Sequence, residues 1–301
     1  MMRVTTALAL ILCVSLFTPV WGDAPVTVET QQLSAGLVML KGRGGNVVVS
    51  FGADGTFVVD DQYVSQYQPI IDAIKVLTDR PVRFVINTHW HSDHTGSNEQ
   101  MSGIGATIVA HDNVRTRVST DQIIEFFKAE RPALKPAGWP VVTFSDEVRF
   151  HVNGESIHVF HVVDAHTDGD AMVHFRDANV IHTGDVFFNG FYPFIDTSSG
   201  GSVAGMLAAV DRALALADDD TKIVPGHGEL AGRKQLVEYR AMLAATHNAV
   251  ATAMISGKDL DGVIAARPTA AFDAAWGGGS LKPETYVRLL FDEITRSTLK
   301  H

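Results

Sequence analysis

The chain has 301 residues, 46% of them hydrophobic and 19% charged, with a formal net charge of -10 at pH 7. That length can bury a substantial core. The charge excludes a surface built for nucleic acid or an anionic membrane, which needs a surplus of lysine and arginine, and leaves a small-molecule substrate as the expected partner.

The first residues read as a leader rather than as part of the fold. Arg3 precedes an apolar run from Ala7 to Phe17, and Pro19 and Val20-Trp21-Gly22 follow at the places a signal peptidase reads. Cleavage after Gly22 is expected, giving a leader over 1–22 and a mature domain over 23–301, exported to the periplasm or secreted. The run is shorter than the ~20 apolar residues of a membrane span, so no membrane attachment is expected after cleavage. Cys13 is the one cysteine. The mature fold must therefore stand without disulfides, and no thiolate can act as nucleophile or ligand.

From Gly36 to Tyr63 the pattern is strands punctuated by glycine, with Val47-Val48-Val49 and Phe57-Val58-Val59 separated by a turn at Ala53-Asp54-Gly55. Ile70, Ile71, Ile74 and Leu77 recur at helical spacing. Val82 to Ile86 reads as a strand covered on both faces. Thr107 to Ala110 follows as a strand and Asp112 to Lys128 as a helix. From Val141 to Val186 the pattern is β again, with Asn153-Gly154 a hairpin signal and Arg176-Asp177-Ala178-Asn179 a second turn. Ser202 can cap a helix through Leu216, Lys222 to Val224 reads as a strand, and Lys234 to Ile255 and Pro283 to Arg296 as helices. Two strand-rich blocks, each followed by helices, suggest sheet packed on sheet with helices outside.

The chemistry concentrates in four segments at predicted strand ends. His89-Trp90-His91-Ser92-Asp93-His94 places four potential ligands within six residues. Neighbouring side chains diverge in such a turn, so one loop can serve two adjacent metal ions. Imidazole and carboxylate are suitable zinc ligands. Ala165-His166-Thr167-Asp168-Gly169-Asp170, His182-Thr183-Gly184-Asp185 and Pro225-Gly226-His227-Gly228 repeat the theme. The other histidines (His111, His151, His158, His161, His174, His182, His247 and His301) are expected to be structural or solvent-facing. Trp90, between two ligand candidates, suits packing at least as well as a substrate wall.

These motifs, in this order, resemble the metallo-β-lactamase superfamily from Gly44-Gly45-Asn46 through Pro283-Glu284-Thr285, and HWHSDH is that family's signature loop. The resemblance implies an α+β fold, a single-domain, four-layer αβ/βα sandwich with the site along one edge of its two sheets. It implies two Zn2+ ions per chain. The first would be held by His89, His91 and His166, the second by Asp93, His94 and His227, with Asp185 as the bridging carboxylate. Asp60 would brace the site without binding metal. Such a pair of ions lowers the pKa of a shared water, which attacks an electrophilic carbonyl. Asp93 and Asp185 are the catalytic candidates, Asp93 orienting the water and handling its proton.

Departures from family patterns bear on the substrate. Di-iron redox relatives carry glutamate where His91 stands, which favours hydrolysis here. The best-known β-lactamase subclass has cysteine at the position of Asp185 and, three residues on, a lysine for the substrate carboxylate. This chain has Phe188 there, and Lys41 and Arg43 are the candidate replacements. Lactonase relatives place a tyrosine nearby, for which Tyr192 is an approximate match. Thioester-cleaving glyoxalase relatives share the whole ligand set. A β-lactam is the leading substrate expectation. The alternatives are a lactone, ester or thioester hydrolase and an exported zinc-dependent binding protein.

Overall fold

The computed structural model describes residues 27–299, so the expected leader over 1–22 and His301 lie outside the described residues. β1 (Glu29–Ser34), β2 (Leu37–Lys41), β3 (Val47–Gly52) and β4 (Gly55–Val59) follow one another antiparallel. Gly36 turns the chain between the first two at φ +72°, where a Cβ would sit 2.8 Å from the Phe51 carbonyl oxygen. Only glycine suits that position. α1 (Tyr67–Leu77) carries the chain across to β5 (Val82–Ile86), which lies parallel to β4. α2 (Ser92–Thr95) and α3 (Asn98–Gly103) lead to β6 (Thr107–His111), again parallel. β5 is less enclosed than its sequence suggests. Its Arg83 is exposed and donates to the Asp54 carbonyl.

The predicted helix over Asp112 to Lys128 is corrected. α4 spans only Asp112–Val118, and the chain then folds into a separate hairpin, β7 (Gln122–Ile124) with β8 (Ala129–Arg131). The segment Ser119-Thr120-Asp121 gives the backbone alternatives to a helix. The Ser119 and Thr120 hydroxyls donate to the Thr116 carbonyl, and Asp121 Oδ1 accepts from the Ala133 amide. The β-branched pair Ile123-Ile124 then favours a strand. β9 (Val142–Phe144) completes a seven-stranded sheet in the order β1-β2-β3-β4-β5-β6-β9.

A second sheet takes β10 (Glu147–Val152), β11 (Glu155–His161), β12 (Ala171–Phe175), β13 (Val180–His182), β14 (Lys222–Val224) and β15 (Ala231–Gly232) in sequence order. Asn153 and Gly154 form the predicted turn at φ 53° and 77°, both positive as a tight primed hairpin turn requires. α5 (Val203–Leu216) crosses between β13 and β14, its first turn capped by the Ser202 hydroxyl accepting from the Gly205 amide. α6 (Arg233–Ile255), α7 (Leu260–Ala265), α8 (Asp273–Trp276) and α9 (Pro283–Leu299) close the described chain.

Strand alternation explains how the layers stack. Leu37, Met39, Val48 and Val59 of the first sheet share one apolar cluster with Ile157, Val159, Val173 and Val180 of the second. Val38, Leu40, Val47 and Val49, on the opposite face, pack against Ile70, Ile71 and Ile74 of α1. Phe160, Met172 and Ile223 on the outer face of the second sheet meet Met206 of α5, Leu243 of α6 and Leu290 of α9. The result is the four-layer αβ/βα sandwich.

Candidate metal centre

Both sheets end at one edge, and the loops that leave their strands there converge. Asp60 follows β4, the segment 87–94 follows β5, Asp185 lies just after β13 and His227 just after β14. The loop between β11 and β12 supplies His166. One potential ligand atom each from His89, His91, His166 and Asp185 lies within 4.8 Å of the others, and Asp93, His94 and His227 form a second such group. Asp185 faces both. Its Oδ2 is 3.5 Å from His166 Nε2 and 3.4 Å from His227 Nε2, and its Oδ1 is 3.1 Å from His94 Nε2.

Hydrogen bonds to the far side of four of the five rings fix which nitrogen faces inward. Asp60 Oδ1 accepts from the Thr88 amide at 2.7 Å, and its Oδ2 accepts from the Thr88 hydroxyl at 2.8 Å and from His94 Nδ1 at 2.7 Å. Because that hydroxyl donates to Asp60, it accepts from His89 Nδ1 at 3.1 Å. His166 Nδ1 donates to the Phe194 carbonyl at 2.9 Å, and His91 Nε2 donates to Asp196 Oδ2 at 3.0 Å. In these four rings the other nitrogen faces the centre, the arrangement in which outer partners orient metal ligands.

At the centre the buried His89 Nε2 has no hydrogen-bond partner, and His94 Nε2 and Asp185 Oδ1 face each other at 3.1 Å without hydrogen-bond geometry. His91 Nδ1 and His166 Nε2 face each other at 2.9 Å. Buried polar groups left this way are costly unless a cation shares them. The donor set therefore fits metal ions. Burial opposes charging His94 and His227, but Asp185 and the other carboxylates outweigh it, raising His94 well above the ordinary histidine value and His227 to about 9. Burial alone dominates at His166, which falls to about 4. Burial would raise Asp93, yet His94 and His227 bring it down to about 2.

Glycines let the backbone close around this cluster. A Cβ on Gly226 would lie 2.0 Å from Asp185 Oδ1, and one on Gly45 would lie 2.1 Å from His94 Cε1. Across the same seam Asn46 donates from Nδ2 to the Pro225 and Gly228 carbonyls, and its own carbonyl accepts from His182 Nε2. His182 is thus held in a structural role.

A family model described as the metallo-β-lactamase superfamily matches residues 37–227, more than half of the chain and all of the cluster. The chain belongs to the metallo-β-lactamase superfamily. Among solved structures, it is similar to the DIM-1 metallo-β-lactamase, with 16% identity, a TM-score of 0.58 and coverage of 73% of this chain and 98% of that one. A metallo-β-lactamase from Pontibacter korlensis gives 16% identity, a TM-score of 0.59 and coverage of 72% and 99%. The stereoselective inverting sec-alkylsulfatase Pisa1 from Pseudomonas sp. gives 15% identity and a TM-score of 0.63, over 88% of this chain and 50% of that longer one. These likenesses are of fold.

Within this superfamily member the cluster forms part of the wall of a cavity of about 480 Å3, where His91, Asp93, Asp185 and His227 meet Phe188 and Arg43. Phe188 stacks on His227 with ring centroids 5.3 Å apart. Lys41 is bound to Glu29 and Glu229 instead and does not line the cavity. The Tyr192 side chain is buried, and its hydroxyl donates to Asp273 Oδ1 at 2.9 Å and the Thr269 carbonyl at 3.3 Å. Trp90 packs with Ala110, Val114 and Val118, away from this cavity. His111 is buried and locally hydrogen-bonded, accepting from the Asn113 amide at 3.1 Å and stacked on His161 at 3.9 Å.

Sequence reasoning missed Asp196, Thr88 and Asp170. Asp170 holds the His166 loop by accepting from the amides of His166 and Thr167. For Asp196 the only available signal was Asp-Thr-Ser-Ser, a capping pattern. Its carboxylate does cap the turn at Ser198 and Ser199 while also holding His91.

Proposed function

We propose that this protein is an exported hydrolase with two zinc ions per chain, held by His89, His91 and His166 and by Asp93, His94 and His227, with Asp185 shared. The observation that carries this reading is the pair of adjoining donor groups with inward, unpartnered atoms, opening on a cavity. Bound there, zinc would supply Lewis-acid polarisation of a carbonyl and a water of lowered pKa. The chain's own groups do the rest. Asp185 fixes the spacing of the two donor groups. Asp93 Oδ2, at the cavity wall and 3.3 Å from His227 Nε2, takes and returns the proton of the attacking water.

The substrate is a small molecule, with a β-lactam amide the leading choice. The cavity has the size of a small-molecule site, and Arg43 lines it as the predicted partner for a carboxylate. The lactone alternative is weakened by Tyr192, whose hydroxyl is engaged away from the cluster. Export is part of the same proposal, with removal of residues 1–22 and release to the periplasm or medium. No described helix is long and apolar enough to cross a membrane. A hydrolysis screen of zinc-loaded protein against β-lactams, lactones and thioesters tests the reading. Turnover of β-lactams with a high KM is expected. Efficient cleavage of a lactone or thioester with no β-lactam turnover would give the substrate to the alternative. N-terminal sequencing of protein exported by a bacterial host should begin at or within a few residues of Asp23, and retained Met1 would refute export.

A further inference from the structure

The hairpin that replaces the expected end of α4 stands over the cavity, and it carries a cation that no sequence motif marked. Arg131, at the end of β8, lines the cavity together with Arg43 from the β2–β3 loop. Neither side chain forms an ion pair among the described residues, and the Arg131 guanidinium makes one hydrogen bond, to the carbonyl of neighbouring Glu130. Arg131, half-buried, and Arg43, exposed, line the same cavity as Asp93 and Asp185 without forming an ion pair with either. A half-buried cation without a partner gains from an anionic ligand.

The hairpin is not a loose flap. Arg117 of α4 holds Asp168, in the His166 loop, through paired bonds of 2.7 Å, and donates to Gln122 Oε1 at the start of the hairpin. The Glu125 amide donates to the Ser198 hydroxyl, beside the Asp196 that holds His91. Hairpin and ligand loops are therefore one assembly. Its tip presents Phe127, 51% exposed, in a tilted contact with Phe194 at 4.7 Å between ring centroids, and both line the cavity. Arg131 also lines a second cavity of about 250 Å3 with an apolar wall that includes Trp90, Val118 and Leu134. It stands where the two spaces meet.

We infer that the β7–β8 hairpin is the substrate-recognition element, that Arg131 with Arg43 holds a substrate carboxylate, and that Phe127 and Phe194 receive an adjoining apolar body. This rests on the reading of the cavity as the substrate site. The natural substrate class is then an amphipathic carboxylate, not a neutral lactone or ester.

Calorimetric titration of the zinc-loaded protein with 4-phenylbutyrate and with 4-phenylbutyramide tests this without requiring turnover. Arg131→Gln should weaken the acid about tenfold, the loss of a charge-assisted hydrogen bond, and the amide less than about twofold. Arg131→Lys, which keeps the charge without the planar fork, should fall between wild type and glutamine. Adding Arg43→Gln should weaken the acid further. Equal losses for acid and amide would make Arg131 structural, and an unchanged acid affinity in the folded glutamine variant would overturn the assignment. Selective loss of the acid in a protein that hydrolyses nothing would sustain the anion site and refute the hydrolase reading. Turnover of β-lactams with no role for Arg131 would do the reverse.

Discussion

A histidine ligand is held best when its second nitrogen is engaged, and in this protein Thr88 adjoins His89 and Asp60 was expected to brace the site, whereas the partner of His91 comes from a place the ligand motifs do not reveal. The seven donors were legible because imidazole and carboxylate crowd short segments after strands. Asp196 was not, since it lies 105 residues from His91 in sequence and only the fold joins them. Asp196→Ala should leave the protein folded but weaken zinc binding about 10- to 100-fold, the usual cost of removing such a partner. Competition with a chromophoric chelator measures this, and unchanged affinity would remove Asp196 from the positioning role. Asp185→Ala should be more severe, with Asp185→Cys recovering metal binding better than alanine because thiolate is a good zinc ligand. Full metal content and rate in the alanine variant would demote Asp185 to a bystander. The raised His94 and His227 set a pH dependence. Groups with raised values stabilise the fold below the ordinary histidine value of about 6.5 and lose that contribution as pH rises through about 9. Chelated protein should therefore melt at a lower temperature at pH 9.5 than at pH 6.5, whereas zinc binding, which displaces those protons, should tighten over the same interval. A chelated melting temperature that rises with pH would contradict the assignment.

At the scale of elements, strands and their exits were read more easily than the segment after α4. Consecutive β-branched and aromatic residues between glycine turns favour strands, and β3, β4, α1 and the Asn153-Gly154 hairpin stand where the pattern put them. The run from Asp112 to Lys128 has helix-compatible composition, and its Ser-Thr-Asp break and Ile-Ile pair were too local a signal to outweigh it. The hairpin's position over the cavity depends on contacts with two distant loops, which no local pattern contains. The exit of β14 offers a sharper test of how backbone shape makes the site. Gly226→Ala places a methyl against Asp185 Oδ1 and the Gly184 backbone. Overpacking of this kind costs about 1–3 kcal/mol, and here the displaced atom is a proposed ligand. Loss of metal affinity larger than the loss of metal-free stability is expected, by titration and thermal melting together. Equal metal affinity in the alanine variant would show that the loop relaxes freely.

Across the whole molecule, neither half holds the centre alone. The first sheet's loops bring Asp60, His89, His91, Asp93 and His94, and the second sheet's bring His166, Asp185 and His227. Asn46 ties the two halves at the seam. The layered architecture was legible from two blocks of strands with helices between, whereas the pairing of sheet edges that closes the site was implied by family resemblance and not by any local pattern. Because ligands from both sheets must meet, metal binding should stabilise the sandwich as a unit. At a thousandfold excess over the dissociation constant that is about 4 kcal/mol, a rise in melting temperature on the order of ten degrees for a chain this large. The central claim is the two-ion centre itself, and metal analysis of zinc-saturated, gel-filtered protein tests it most directly. About two zinc ions per chain, both removed by chelation with loss of hydrolysis, is the expected result; one ion or none at saturating zinc would contradict it.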